Sequence, residues 1–247
     1  MHRVSIIVPA YRTGNKIYQN LRDIYRVLQL LPYQFELICV VDGSPDTTEA
    51  AAKRFAAGKP RVKVLAYPTN RGKGYAVRHG MRHSSGDVIG FMDAGGDISP
   101  TGLIVLLLLF LSQRADVVIG SKRHENSVVA YPWQRQVLSM FYQQLVKVLF
   151  GLGVRDTQVG MKLFRREVIS KVLPKVKVKG YAFDIELLVL AHHLGFRRIF
   201  EGPVEVRLDF GGESVVTGRA LIKTIATMLK DTFVIFYRLK ILHQFAN

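Results

Sequence analysis

What this chain of 247 residues has little of narrows its possibilities before any motif is read. It has one cysteine, so no intrachain disulfide can form, and Cys39 sits in the apolar run 37–41, where a buried thiol is the expected role. It has no apolar run approaching the roughly 20 residues of a spanning helix. The strongest such stretch, 103–111, is followed closely by Asp116, and a buried helix is expected there. Met1-His2-Arg3 leads straight into an apolar run, 4–9, that is too short and too β-branched for the centre of a signal peptide, so a first strand is expected and no secretory leader. Acidic residues are scarce, 19 against 35 Lys and Arg, and the net charge of +16 calls for anionic partners: phosphate-bearing substrates, acidic lipid or nucleic acid. No motif that reads nucleic acid accompanies that charge, so nucleic acid is not expected. A Walker A loop and a glycine-flanked hydrolase serine are both missing. His79 and His83 are one helical turn apart but lie among Arg78 and Arg82, and a solvated helix face accounts for them.

What is present is an alternation. Residues 4–11, 35–41, 62–66, 87–92 and 116–120 are short, largely β-branched or apolar runs, separated by stretches of helical spacing such as 16–30 and 47–57. That order predicts an α/β fold, a mostly parallel sheet with helices on both faces, in one large domain. Further on come a long helical stretch, 133–150, a helix around 183–194 and a strand over 199–206. The segment 220–242 is apolar but interrupted by Lys223, Lys230, Asp231, Arg238 and Lys240. It reads either as an interfacial helix, with Phe233, Ile235, Phe236 and Tyr237 in the acyl boundary of an anionic membrane, or as a terminal helix packed on the domain.

In such folds ligands bind beyond the carboxyl ends of the strands, and three strand ends are followed here by polar turns: Tyr11-Arg12-Thr13-Gly14, Asp42-Gly43-Ser44-Pro45-Asp46 and Asp93-Ala94-Gly95-Gly96-Asp97. Asp42 is placed either to bind a base or ribose or to hold a turn. Asp46, with Glu49 three residues on, has the spacing of a helix N-cap and capping box. Asn70-Arg71-Gly72-Lys73-Gly74 would bring amides and a cation near phosphate. Asp93 suits a divalent cation bridging a diphosphate. Asp97 is either a second ligand or a residue leading into a helix capped by Ser99 and begun by Pro100. Gly120-Ser121-Lys122-Arg123-His124, Arg135 and Lys162 would suit an acceptor bearing phosphate.

Read in order, residues 4–11, Val40 to Asp46, Asn70 to Gly74, Gly86-Asp87, Met92-Asp93-Ala94, Gly120-Ser121 and Asp156 to Phe164 closely resemble family 2 glycosyltransferases of the GT-A fold. Phe183-Asp184-Ile185-Glu186-Leu187-Leu188 sharpens the likeness towards the dolichyl-phosphate mannose or glucose synthase branch. The resemblance implies inverting transfer of a hexose from a nucleotide sugar, UDP-glucose or GDP-mannose, to a polyprenyl or dolichyl phosphate. It implies that Pro9, Tyr11 and Asp42 line the nucleoside pocket with Lys73 nearby, that Asp93 and Gln158 serve a Mg2+ or Mn2+ site, and that Ser121, Arg123, Arg135 and Lys162 face donor or acceptor phosphate. Asp93, Arg123 and Gln158 would then be the catalytic set. Residues 1–215 would form the catalytic domain and 216–247 an amphipathic segment, peripheral at the cytoplasmic face of a membrane; a homo-oligomer is compatible with all of this. One departure stands out. Where the family reads Asp-Ala-Asp this chain reads Asp93-Ala94-Gly95, so either Asp97 substitutes, or metal binding is weakened, or the chain is a non-catalytic relative that binds sugar nucleotide or lipid as a partner protein.

Overall fold

A computed structural model of the chain describes residues 3–130, 133–180, 182–207 and 219–242. Five runs of apolar and β-branched residues form parallel strands: β1 Arg3–Ala10, β2 Gln34–Asp42, β3 Val62–Tyr67, β4 Val88–Met92 and β5 Val117–Ser121. All five lie within a residue or two of where the hydrophobic pattern places them. β1, β2, β4 and β5 are buried on both faces, which is why they read as continuous apolar runs rather than alternating ones. The expected α/β architecture holds: a seven-stranded sheet of order β3-β2-β1-β4-β7-β5-β8. On one face pack α1 Lys16–Gln29, α2 Thr48–Ala56 and α4 Gly102–Ser112; on the other, α3 Lys73–Arg82, α6 Arg166–Val172 and α7 Phe183–His193. α1 shows the mechanism: Ile17, Leu21, Ile24 and Leu28 recur every three or four residues and all are buried.

Three differences from the sequence pattern matter. β7 Met161–Arg165 enters antiparallel between β4 and β5, and the pattern hides it because Lys162 lies mid-strand. The strand expected over 199–206 is two: β8 Ile199–Pro203 pairs with β5, and β9 Glu205–Arg207 pairs with β6 Val128–Ala130 in a separate two-stranded sheet. Pro203, with no N–H to give the ladder, ends the first of these. The apolar helix α4 is half buried rather than buried: Leu103, Leu106, Leu107 and Phe110 face the sheet, while Leu108 is 60% exposed.

α5 Trp133–Phe150 matches its expected span, and α8 Arg219–Phe236 runs into a π-helical turn, Tyr237–Ile241. The segment's aromatic and aliphatic residues do not share one face, contrary to the expectation of a common lipid-facing set. Ile235 is 2% exposed in the core and Phe236 lies edge-on to Phe150, whereas Phe233 and Tyr237 face outward. Arg238 also turns inward, its guanidinium 2.6 Å from Glu186. Among the described residues no helix is long and apolar enough to cross a membrane.

Candidate active site

β1 lies between β2 and β4, and the chain leaves towards β2 and β3 before returning on the other side at β4. That reversal opens a crevice at the carboxyl ends of β1 and β4, where α/β sheets take their ligands. Its first wall is the loop after β1. Arg12 and Gly14 both have positive φ, 51° and 52°, and the loop is sewn to the end of β2: Arg12 N–H donates to Ser44 Oγ at 2.8 Å and Gly14 N–H to Asp46 Oδ2 at 2.9 Å. This fold-back leaves the Tyr11 ring exposed beside the crevice, with the Arg12 guanidinium 5.3 Å from its centroid. Asp46 is a structural residue as expected, but the capping box is not formed. Thr47 is the N-cap, Asp46 accepts from the Thr48 hydroxyl at 2.6 Å, and Glu49 pairs with Lys53 instead of reaching back. Slight burial pushes the Asp46 carboxyl up, but hydrogen bonds from Ser44, Thr48 and Gly14 outweigh it and hold its pKa down to about 2. Nor does Ser99-Pro100 begin α4: Thr101 is its N-cap and Ser99 Oγ bonds the Thr101 hydroxyl.

The end of β2 is closed. Asp42 is 3% exposed, and its carboxylate accepts from Arg71 N–H at 2.7 Å, Gly72 N–H at 2.9 Å and the Asn70 amide at 3.1 Å. Of the two roles open to it, the turn-holding one accounts for every contact seen. Gly43 makes the approach feasible, since a Cβ there would stand 2.2 Å from Asn70 N. The loop 70–74 is likewise committed to protein: Gly72 N–H is used by Asp42 and Gly74 N–H donates to Lys179 O at 2.8 Å. Three of its five amides, those of Arg71, Gly72 and Gly74, are thus taken by protein. What it offers to the crevice is the Lys73 ammonium at the start of α3.

The end of β4 is different. Asp93 donates its N–H to Gly160 O, and its carboxylate lies flat on Gly160, where a Cβ would sit only 1.8 Å from Oδ2. The Lys73 ammonium is 2.8 and 3.1 Å from the two oxygens, yet the Asp93 side chain stays 38% exposed. Behind Lys73 are two further charges. Asp184, on the apolar helix α7, is 3.7 Å from Lys73 Nζ and 3.4 Å from Lys162 Nζ, and its Oδ1 is buried with no hydrogen-bond partner. Lys162 has no exposed surface, donates to Val159 O at 2.5 Å and lies over the Phe91 ring; burial drives its pKa down. It therefore stands behind the crevice, not facing a phosphate as expected.

Ser121 is also buried, accepting Arg123 N–H at 3.3 Å, so it shapes the turn from which the half-buried Arg123 projects. Asp156 secures that turn by accepting Lys122 N–H and Gln158 N–H, both at 3.1 Å. The side chain of Arg135 lies outside the described residues. Pro9 is partly buried in β1 opposite Val40. Sequence reasoning gave Gly160 and Asp184 no role of their own, although both stand in motifs that carry the resemblance, and it read Asn70 only as part of a loop near phosphate, not as a partner of Asp42.

The residues expected at a metal site, Asp93, Asp97 and Gln158, carry oxygen donors of the kind that Mg2+ and Mn2+ take. Among the described residues no three carboxylate, histidine or cysteine side chains converge, so protein would supply two carboxylates and an amide at most. Two observations fit a cation to these residues. The Gln158 amide has a buried terminal nitrogen without a partner, and the two ends of an amide exchange by a flip. A Cβ on Gly95 would lie in contact with the Asp97 carboxylate, 3.4 Å from Oδ2, so Asp97 stands beside the place where the family's second acid would begin. That loop is anchored from its far side, by a bridge between Ile98 and Val206 and by Ser99 N–H donating to Glu205 O at 2.9 Å.

The profile of the family described as "Glycosyl transferase family 2" matches residues 5–173. Among curated proteins, the dolichyl-phosphate beta-glucosyltransferase ALG5A of Trichomonas vaginalis is 31% identical over 245 residues, covering 95% of this chain and 74% of the relative. The dolichyl-phosphate beta-glucosyltransferase of Drosophila melanogaster is 35% identical over 205 residues, 77% of this chain and 63% of that one. Among solved structures, glucosyl-3-phosphoglycerate synthase from Mycobacterium tuberculosis superimposes with a TM-score of 0.71 at 21% identity, over 96% of this chain and 79% of the other. The same enzyme in complex with Mn2+, uridine diphosphate and glucosyl-3-phosphoglycerate gives 0.68 at 21% identity. At that identity the likeness speaks to the fold.

Proposed function

The chain belongs to glycosyl transferase family 2, and on that premise we propose that it moves glucose from UDP-glucose to a polyprenyl phosphate of the dolichyl kind. The observation that carries the reading is Asp93, a partly exposed carboxylate held by one lysine at the switch point of the sheet. The relatives named for glucosyl transfer to dolichyl phosphate support the sugar and acceptor, and the neighbour crystallised with Mn2+ and uridine diphosphate supports the nucleotide.

Tyr11 and Pro9 are assigned to the nucleoside, with Asp42 shaping their surroundings from behind. Lys73 faces the diphosphate. Asp93, Asp97 and Gln158 would hold Mg2+ or Mn2+, which when bound neutralises charge developing on the departing nucleoside diphosphate. Arg123, with Arg135, is assigned to the acceptor phosphate. A phosphate monoester is anionic at neutral pH, so its oxygen needs no general base. That oxygen attacks the anomeric carbon as the bond to the diphosphate breaks, the electron pair leaving with the nucleotide, and α-linked glucose emerges β-linked. A lipid acceptor suits the outward Phe233, Tyr237 and Ile241 at the C-terminus, and we assign that face to an anionic membrane surface.

The test offers purified protein UDP-glucose or GDP-mannose with polyprenyl phosphate, with Mg2+, Mn2+ or chelator, and follows labelled sugar into lipid. Transfer from UDP-glucose with a β anomer, lost in chelator, is the expected result. Transfer from GDP-mannose alone would overturn the donor, and a retained α linkage would overturn the mechanism. Nucleotide binding without transfer from either donor would favour a non-catalytic partner protein.

A further inference from the structure

Asp93, Lys73, Asp184 and Lys162 form a row of alternating charge running from the crevice into the core, with contacts of 2.8, 3.7 and 3.4 Å. The row is lopsided. Lys73 is 2.8 Å from Asp93 but 3.7 Å from Asp184 Oδ2, and Asp184, 2% exposed, has its other oxygen, Oδ1, buried with no hydrogen-bond partner. A buried carboxylate paired this sparsely is costly, and a closer ammonium on it offsets part of that cost. A divalent cation on Asp93 would meet the Lys73 ammonium at hydrogen-bond range of the same oxygens, and the two like charges cannot share them.

We propose that Asp184 is a positioning residue, a second berth for the Lys73 ammonium, which moves there when a divalent cation takes Asp93. This rests on the reading of Asp93 as a cation ligand. The movement is small: closing the 3.7 Å to Asp184 Oδ2 to the length of a charge-assisted hydrogen bond, about 2.8 Å, takes the ammonium roughly 1 Å inward. Lys162 stays where it is, and the buried acid then lies between two ammonium groups. With the second berth in place the cation displaces Lys73 readily; without it Lys73 remains a competitor for Asp93. Asp184 thereby sets cation affinity from the far side of the lysine, without touching the cation.

The test measures Mn2+ binding by the free-ion electron paramagnetic resonance signal, with UDP held saturating for each variant by its own titration. Asp184→Asn is expected to weaken Mn2+ binding by about fivefold or more, and Lys73→Met to strengthen it. In the Lys73→Met background, Asp184→Asn should then change affinity by less than about twofold, because no lysine remains to be housed. An equal loss in both backgrounds would mean that Asp184 acts only through its field, and would overturn the proposal. Because Asp184→Asn strands a buried lysine, the paired Asp184→Asn/Lys162→Met chain, which removes one charge of each sign, is measured alongside and is expected to show the same loss. An unchanged affinity there also overturns it. Absence of Mn2+ binding by the unaltered protein would instead refute the reading of Asp93 as a cation ligand.

Discussion

Two aspartates, Asp42 and Asp93, each follow an apolar strand and precede a glycine-containing turn, and the structure uses them in opposite ways. At the end of β2 three donors close on Asp42 and leave it 3% exposed. At the end of β4 Asp93 has the Lys73 ammonium on its carboxylate and keeps 38% of its side chain in the open. A buried carboxylate saturated by amides is a fastener; a partly exposed one balanced by an ammonium is available for chemistry. The difference lies in what each acid faces: a neighbouring loop pressed against Asp42, and a bare glycine, Gly160, beneath Asp93.

The contrast can be broken by experiment. Asp93→Asn should lower glucosyl transfer about 10³-fold, of the order of removing one preorganised electrostatic group, while the denaturation midpoint hardly moves. A stability loss as large as the activity loss would erase the distinction. Asp42→Ala should do the reverse, costing about 3 kcal/mol of stability in urea titration by stranding the Arg71 and Gly72 amides, with any loss of turnover following the fold. Gly160→Ala places a methyl where the Asp93 carboxylate lies, so transfer should fall roughly 10- to 100-fold through displacement of that one group. A wild-type rate would show that Asp93 need not lie there.

Acid should sharpen the same contrast, since the fastened side of the molecule depends on ionised carboxylates. Burial pushes Glu36 up, but Lys63, Ser5 and Ser85 outweigh it and hold its pKa down to about 2. The folded value lies below the unfolded one of about 4.3, so this stabilisation is present above that pH and is lost as pH falls towards 2. Glu36→Gln should flatten that acid limb, by on the order of 2 kcal/mol between pH 5 and pH 2, read from urea midpoints at each pH. The smallest effect is expected from Gly95→Asp. It restores the family's second acid, but beside the Asp97 carboxylate already in contact with that position, so Mn2+ affinity should rise only about threefold. A rise of a hundredfold would mean that Asp97 does not substitute.

Much of this was legible in the chain because it is local. The spans of α1, α5 and α7 follow from apolar spacing, and β1 to β5 from apolar runs bounded by turn residues. What was not legible depends on partners distant in sequence. Asp42 and Asp93 carry the same local signature, and only Asn70 to Gly72 and Gly160 tell them apart. β7 was masked by Lys162, a lysine tolerated in a central strand because Asp184 waits beside it. Within 233–237 neighbouring apolar residues took opposite faces, since Ile235 packs into the core whereas Phe233 and Tyr237 do not. Asp46 and Glu49 had the spacing of a capping box, but Lys53 and Gly14 competed for them and won.

The bridge from Ile98 to Val206 has a consequence for how the molecule comes into being. Asp97 lies beside residues that must pair with a strand about a hundred positions later, a closure that carries an entropic cost and forms slowly. A chain emerging from the ribosome would have Asp93 and both strands that flank β4, β1 and β7, synthesised well before Asp97 has anything to rest against. Any fragment that ends with the matched segment, at residue 173, stops before β9 and carries the first acid of the pair without the strand that seats the second.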